Sequence, residues 1–231
     1  MTLGGLQKLT LIDYPGKIAA TVFTMGCNFS CPFCHNPELV DPQKIKDQPR
    51  IDQDDFFAFL KDRRELLEGV CITGGEPTLY PGLYEFIKKI KELGFLVKLD
   101  SNGTNPNLVA QLLTEGLVDY IAMDIKAPLE RYKQIVGFDV PLLDIQRSVE
   151  LTRSAPDYEF RTTVVPSLHT QKDILSIGQW LQGAKKYFLQ QFRAHKTLDN
   201  SFGQEKAFEW EDILELKKQL EGFFERVEIR E

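Results

Sequence analysis

Gly69-Val70-Cys71-Ile72-Thr73-Gly74-Gly75-Glu76-Pro77-Thr78, then Leu83 to Leu93, then Phe95-Leu96-Val97-Lys98-Leu99-Asp100, is the stretch that decides the fold class. The first apolar run predicts a short strand, and its end at two glycines and a proline predicts a tight turn into a helix. Leu83, Phe86, Ile87 and Ile90 fall on one helical face, and the second apolar run predicts another strand. Strand, covering helix and strand in that order make a βα unit of a parallel sheet.

Working outward, the pattern recurs about six times. Strands are predicted at residues 18–24, 69–73, 95–100, 120–125, 159–165 and 187–192, all short and apolar, as strands covered on both faces should be. Helices are predicted at 54–67, 83–93, 106–114, 142–153, 172–182 and 211–221, before a strand-like segment at 226–229. The expectation is an α/β chain folded as a partial (β/α)6 TIM-like barrel, one domain over residues 1–231. Its core would span about 16–195, with a C-terminal helix and strand over 205–231. There is no internal repeat of solenoid type.

The formal net charge of −6 is a modest acidic excess, and Lys and Arg are scattered instead of forming a stripe. No nucleic-acid partner is expected on that footing. Residues 1–11 lack a basic region followed by a long apolar core, and no apolar run approaches the length that crosses a bilayer. A cytoplasmic protein without a membrane partner is therefore expected. Three of the four cysteines crowd into Cys27 to Cys34, which reads as metal or redox chemistry more than as a disulfide framework.

Those cysteines follow the first predicted strand in a C-x3-C-x2-C spacing, Cys27-Asn28-Phe29-Ser30-Cys31-Pro32-Phe33-Cys34. Three thiolates around an iron–sulfur cluster leave one iron open to a non-protein ligand, and an open iron is a reaction site. The bland alternative is a zinc knuckle built from Cys27, Cys31, Cys34 and His35. Cys71, inside the second strand, reads as a buried inert thiol.

In barrels of this kind, chemistry gathers where the strands end. The second strand ends in Gly74-Gly75-Glu76, the third in Asp100-Ser101-Asn102 and the fourth in Asp124-Ile125-Lys126. Each alone could be a turn, a helix cap or a solvated rim. Arg161 lies within the fifth strand, where an inward guanidinium needs an anion, either from a ligand or from a neighbouring Asp. Gln190, Gln191 and Arg193 end the sixth strand at the mouth that would receive substrate, with Gln191 and Arg193 the candidates. His169 and His195 have no spacing partner and read as surface or loop residues.

The cysteine spacing, with Phe33 just before Cys34, resembles the signature of the radical S-adenosylmethionine (SAM) superfamily, and Gly74-Gly75-Glu76 resembles its GGE motif. That resemblance implies a [4Fe–4S] cluster on Cys27, Cys31 and Cys34, with SAM chelating the fourth iron. Reductive cleavage of SAM would give a 5′-deoxyadenosyl radical that takes a hydrogen from substrate. Gly74, Gly75 and Glu76 would hold the SAM amino group, Ser101 and Asn102 would face its ribose or methionine portion, and Lys126 would pair with its carboxylate. Arg161 would line the site, Val165 would pack on the adenine, and Asp100 and Asp124 would help bind a monovalent cation.

Further stretches narrow the resemblance. Leu6 to Lys17, Cys34-His35-Asn36-Pro37-Glu38-Leu39, Met123 to Pro128 and Gln190 to Arg193 look like the activating proteins of anaerobic ribonucleoside-triphosphate reductase. These are glycyl-radical activating enzymes, whose substrate is a glycine in a large partner protein. A flavodoxin or ferredoxin is the electron donor that this implies. The alternatives are the activase of another glycyl-radical enzyme, or a small-molecule enzyme of 7-carboxy-7-deazaguanine synthase type with a closed, magnesium-containing pocket. A non-catalytic zinc-binding interaction protein is a further alternative.

Overall fold

The computed structural model describes residues 1–230. The chain opens with strands β1 (Leu3–Thr10) and β2 (Ala19–Thr24), then two short helices, α1 (Pro37–Val40) and α2 (Pro42–Ile45), and the longer α3 (Gln53–Asp62). Strands and helices then alternate: β3 (Gly69–Gly74), α4 (Leu83–Glu92), β4 (Leu96–Ser101), α5 (Pro106–Thr114) and β5 (Tyr120–Asp124). After α6 (Tyr132–Val136) and α7 (Leu142–Arg153) come β6 (Asp157–Val164), α8 (Gln171–Trp180), β7 (Lys186–Gln191), α9 (Trp210–Leu220) and β8 (Arg226–Arg230). One sheet takes all eight strands in chain order. The β1/β2 pair is antiparallel and every later pair is parallel. The sheet stays open between β1 and β8, giving the partial barrel expected.

Alternation along the strands sorts the residues onto two faces. Val70 and Ile72, Val97 and Leu99, Ile121 and Met123, and Tyr187 and Leu189 join the main apolar core under the helices. The intervening residues are Cys71, Lys98 and Asp100, Tyr120 and Asp124, Glu159 and Arg161, and Gln190 and Arg230. Register keeps these in rows: Asp124 pairs with Arg161, Thr163 with Gln190, and Gln190 with Arg230. The inner face is therefore polar, where the apolar strand patterns predict burial on both faces. Lys98, Asp100, Glu159 and Arg161 break those apolar runs at period two, which is the pattern of a functional lumen.

The segment between β1 and β2 plugs the N-terminal end of that lumen. Tyr14 is buried against Tyr120, with ring centroids 5.9 Å apart, and joins Ala19 and Ala122 in a small separate core. Asp13 accepts the Thr21 hydroxyl at 2.5 Å. The motif that contributes to the resemblance at Asp13-Tyr14-Pro15 thus has a packing role far from the strand ends that carry the chemistry.

β1 is a strand that the sequence pattern does not predict. Its Leu3-Gly4-Gly5-Leu6-Gln7-Lys8-Leu9-Thr10 has two glycines and shows no clean alternation of burial, as an edge strand with two register shifts can tolerate. The helix predicted at 54–67 stops at Asp62, because Arg63 leaves helical geometry and the chain turns to bury Leu67 while Leu66 stays exposed. Pro77 starts only a three-residue 3₁₀ turn, Pro77–Leu79, capped by the Glu76 carboxylate.

Candidate active site

The loop after β2 is tied down before any ligand is considered. Gly26 N–H donates to Leu39 O at 2.6 Å, Ser30 N–H to Val136 O at 2.8 Å and Cys34 N–H to Cys31 O at 3.0 Å. From beyond β7, Leu198 N–H donates to Cys34 O at 3.1 Å and Asp199 N–H to Pro32 O at 2.9 Å. These ties bring Cys27, Cys31 and Cys34 to the wall of one cavity of about 270 Å³. Burial pushes the Cys27 and Cys31 thiols up to about 12, so neither ionises unaided near neutrality. A cationic metal centre would supply the missing stabilisation, since ligating thiols bind as thiolates.

The glycines after β3 are needed by the chain itself. Gly74 has φ +119°, and a Cβ there would stand 2.4 Å from both Thr24 N and Thr24 O. At Gly75 a Cβ would stand 1.9 Å from Gly26 O. Gly75 N–H donates to Thr24 O at 2.9 Å, and Glu76 N–H donates to Gly26 O at 2.8 Å. Backbone thus packs on backbone, and that contact fixes where the cysteine loop begins.

Glu76 is 1% exposed. Its Oε1 accepts Thr78 N–H at 3.1 Å, the Thr78 hydroxyl at 2.5 Å and the Ser101 hydroxyl at 2.9 Å, and its Oε2 accepts Asn102 N–H at 2.6 Å. Burial raises its pKa above the ordinary carboxylate value, and these donors only partly offset that. The side chain joins the ends of β3 and β4, and both of its oxygens are engaged by the protein.

Deeper on the same wall lies a row of charges. Arg161 Nε donates to Asp124 Oδ1 at 2.8 Å and its Nη1 to Asp100 Oδ2 at 3.0 Å. Lys126 Nζ donates to Asp124 Oδ2 at 3.1 Å, and the buried Lys98 ammonium pairs with Asp100. Burial alone would raise the pKa of both aspartates, but Arg161 and the lysines outweigh it and hold both below the usual carboxylate range. Below them Arg230 makes a two-pronged pair with Glu159, at 2.6 and 2.8 Å, and the Tyr120 hydroxyl donates to Glu159 at 2.8 Å.

The three cysteines, Phe33, Gly74, Gly75 and Glu76 therefore share one cavity. So do Asp100, Ser101, Asn102, Asp124, Lys126 and Arg161. Val165 does not join them: it is fully buried in the main core, and its N–H donates to His169 Nδ1 at 3.1 Å. Asp100 and Asp124 are each already matched by two basic side chains, an arrangement that does not favour the monovalent cation expected there. Cys71 is buried with Sγ 3.8 Å from Asp100 Oδ1 and is not a member of the thiol set, as its place within a strand predicts. Among the described residues, no three His, Cys, Asp or Glu side chains stand close enough to hold a single metal ion.

His169 lies in a loop, as expected, but it is buried: its ring meets Phe33 edge-on and its Nε2 is 2.8 Å from Lys126 O. His195 is exposed and, with Gln191 and Arg193, lines a second hollow that shares His35, Thr163 and Gln190 with the first cavity. Sequence reasoning missed Asn28 and Thr104, which bond to one another and to Asn102. Nothing in their spacing reveals them.

The residues fit the cofactors of the resemblance. Three thiols face the cavity without a fourth, which matches a cluster with one open iron, and the Lys126 and Arg161 cations suit the carboxylate of SAM. The Radical SAM superfamily profile matches residues 21–176. A Methanocaldococcus jannaschii protein, provisionally named as a glycyl-radical enzyme activating enzyme, is 31% identical over 99% of this chain and 95% of its own length. The pyruvate formate-lyase-activating enzyme of Listeria monocytogenes is 32% identical over 60% of this chain and 59% of its own. Among solved structures, Streptococcus suis SuiB with its precursor peptide SuiA aligns with TM-score 0.68 at 12% identity, over 91% of this chain and 48% of SuiB. A domain of the pyruvate formate-lyase-activating enzyme of Bacteroides vulgatus aligns with TM-score 0.55 at 16% identity, over 71% of this chain and 99% of the domain. Those structures share the fold. On the profile and the full-length relative together, the chain belongs to the radical SAM superfamily, among its glycyl-radical enzyme activating enzymes.

Proposed function

We propose that this chain installs a glycyl radical on a partner enzyme, and that the partner is an anaerobic ribonucleoside-triphosphate reductase. Cys27, Cys31 and Cys34 would hold a [4Fe–4S] cluster, and Lys126 and Arg161 would orient the carboxylate of SAM. When bound and reduced, cluster and SAM supply a 5′-deoxyadenosyl radical. This chain's own task is to bind, to orient and to exclude water from the inner end of the cavity. A flavodoxin or ferredoxin would deliver the electron.

One observation carries the choice of a protein substrate. The cysteine cavity shares His35, Thr163 and Gln190 with a second hollow of about 280 Å³, which is lined also by Gln191, Arg193, His195 and Lys196 and has no acidic side chain among the described residues. A polar, basic hollow beside the cysteine cavity suits a peptide loop, whereas a small-molecule enzyme needs an enclosing pocket. The choice of reductase over another glycyl-radical enzyme rests on the resemblance at Leu6 to Lys17, Met123 to Pro128 and Gln190 to Arg193.

The test is anaerobic reconstitution with iron and sulfide, reduction with dithionite, and incubation with SAM and the reductase from the same source. The expected result is 5′-deoxyadenosine together with a protein-bound EPR doublet that collapses when the reductase carries α-deuterated glycine. SAM cleavage without a radical on the reductase, but with one on a formate-lyase-type enzyme, would move the proposal to that partner. A colourless zinc protein that never cleaves SAM would sink it.

A further inference from the structure

The resemblance puts Asn102 against SAM, yet in the structure its amide is occupied within the protein. Oδ1 accepts Thr104 N–H at 3.1 Å and the Thr104 hydroxyl at 2.8 Å. A backbone N–H can only donate, so the amide's oxygen must face Thr104 and its nitrogen must face the other way. Nδ2 donates to Asn28 Oδ1 at 2.9 Å, and Asn28 Nδ2 donates to Thr104 Oγ1 at 3.0 Å. Three hydrogen bonds therefore run head to tail around a closed ring of Asn28, Thr104 and Asn102. One amide proton of Asn102 remains, on the nitrogen that stands 4.0 Å from Cys27 Sγ. Phe29 N–H donates to the same sulfur at 3.4 Å. Asn102 is 5% exposed, so little water competes for that proton.

We propose that Asn102 is a positioning residue for the iron–sulfur centre: held by Asn28 and Thr104, it aims an amide proton at the Cys27 sulfur and raises the reduction potential of the cluster that this sulfur ligates. The inference rests on Cys27 being a cluster ligand. Hydrogen bonds to ligating sulfurs are one of the protein's levers on cluster potential, because an N–H dipole stabilises the more negative, reduced state more than the oxidised one. The ring supplies the rigidity that a single flexible amide lacks. Because β4 delivers Asn102 and the loop after β2 delivers Asn28, the donor is also a tie between the cluster loop and the sheet.

The experiment is an EPR-monitored redox titration of the reconstituted holoprotein, with equilibrium SAM binding measured in parallel. Asn102→Leu should lower the ratio of reduced to oxidised cluster about tenfold at fixed potential, equal to 59 mV for a one-electron couple. Thr104→Val should shift it in the same direction by less, since the amide stays but loses its anchor. SAM affinity should stay within about twofold in Thr104→Val, whose side chain is not part of the cavity wall. An unchanged potential with a large loss of SAM affinity in Asn102→Leu would assign Asn102 to SAM and overturn the proposal. Should Asn102→Leu fail to fold, a Thr104→Val protein with the wild-type potential overturns it equally. A wild-type chain that takes up no cluster defeats the reading on which the proposal rests, and the proposal with it.

Discussion

Glu76 and Asp124 are carboxylates at the ends of two of the barrel's strands, and their surroundings push them in opposite directions. Glu76 is met only by neutral donors, from Thr78, Ser101 and Asn102, and burial keeps its pKa raised. Asp124 is met by Arg161 and Lys126, and its pKa is held low despite burial. The exposures differ too: Glu76 is 1% exposed, while the Asp124 side chain is 24% exposed toward the cavity. Neutral donors make Glu76 a hub of the scaffold. Paired charges at the cavity wall make Asp124 a counterion whose cations can also address an incoming anion. An acidic motif at a strand end therefore has two physical meanings, and the neighbours decide between them.

Removing the cation should break the comparison most severely. Arg161→Met leaves Asp100 and Asp124 without their shared partner, a change that costs about 3–5 kcal/mol when one member of a buried pair is lost. Urea unfolding should show that loss, and SAM binding should weaken with it; an unchanged midpoint would mean that the lysines alone neutralise both aspartates. Glu76→Gln should cost less, about 1–3 kcal/mol, because an amide offers one acceptor where the carboxylate serves four donors. The two carboxylates also predict opposite pH slopes. For Asp100 and Asp124 the folded pKa lies below the ordinary 3.8, so their stabilisation is present above that value and is lost as pH falls below it. For Glu76 the folded pKa lies above 4.5, so its contribution is largest below that value and declines as pH rises through the raised one. Urea midpoints from pH 3 to 7 should therefore lose the upper, falling component in Glu76→Gln and keep the acid-side loss.

The sequence made the chemistry legible wherever it was written locally. Cys27, Cys31 and Cys34 lie on one loop, and Gly74-Gly75-Glu76 lies on one turn, so spacing alone brings each set together. Arg161 was legible because a charge inside an apolar strand demands a partner, although both partners proved to be protein carboxylates. What spacing could not show was contact across the chain. Asn28 meets Thr104 and Asn102 only once β2 and β4 lie in one sheet, and neither Asn28 nor Thr104 belongs to a periodic pattern. Gly75 looked like a turn residue, whereas its need comes from Gly26 O on another loop. Val165 has the parity of Arg161 and Thr163, the inner-face residues, but β6 ends at Val164, and beyond that end the chain turns and buries Val165 in the main core.

His169 offers the smallest and cleanest probe of the same contrast, because it is a buried base with no carboxylate bonded to its ring. Its Nδ1 accepts Val165 N–H, so its Nε2 carries the proton donated to Lys126 O. Burial lowers its pKa from 6.5, and the ring is held neutral in the folded chain. The unfolded chain therefore binds a proton that the native chain refuses, and stability contributed at neutral pH is lost as pH falls below about 6.5. Glu76 acts with the opposite sign over part of that range, so the quantity to measure is the difference between wild type and His169→Gln at pH 7.5 and 5.5. The variant should be the less stable at 7.5, and the gap should narrow at 5.5. A gap independent of pH would mean that the ring accepts its proton in place, with the Lys126 backbone free to move aside.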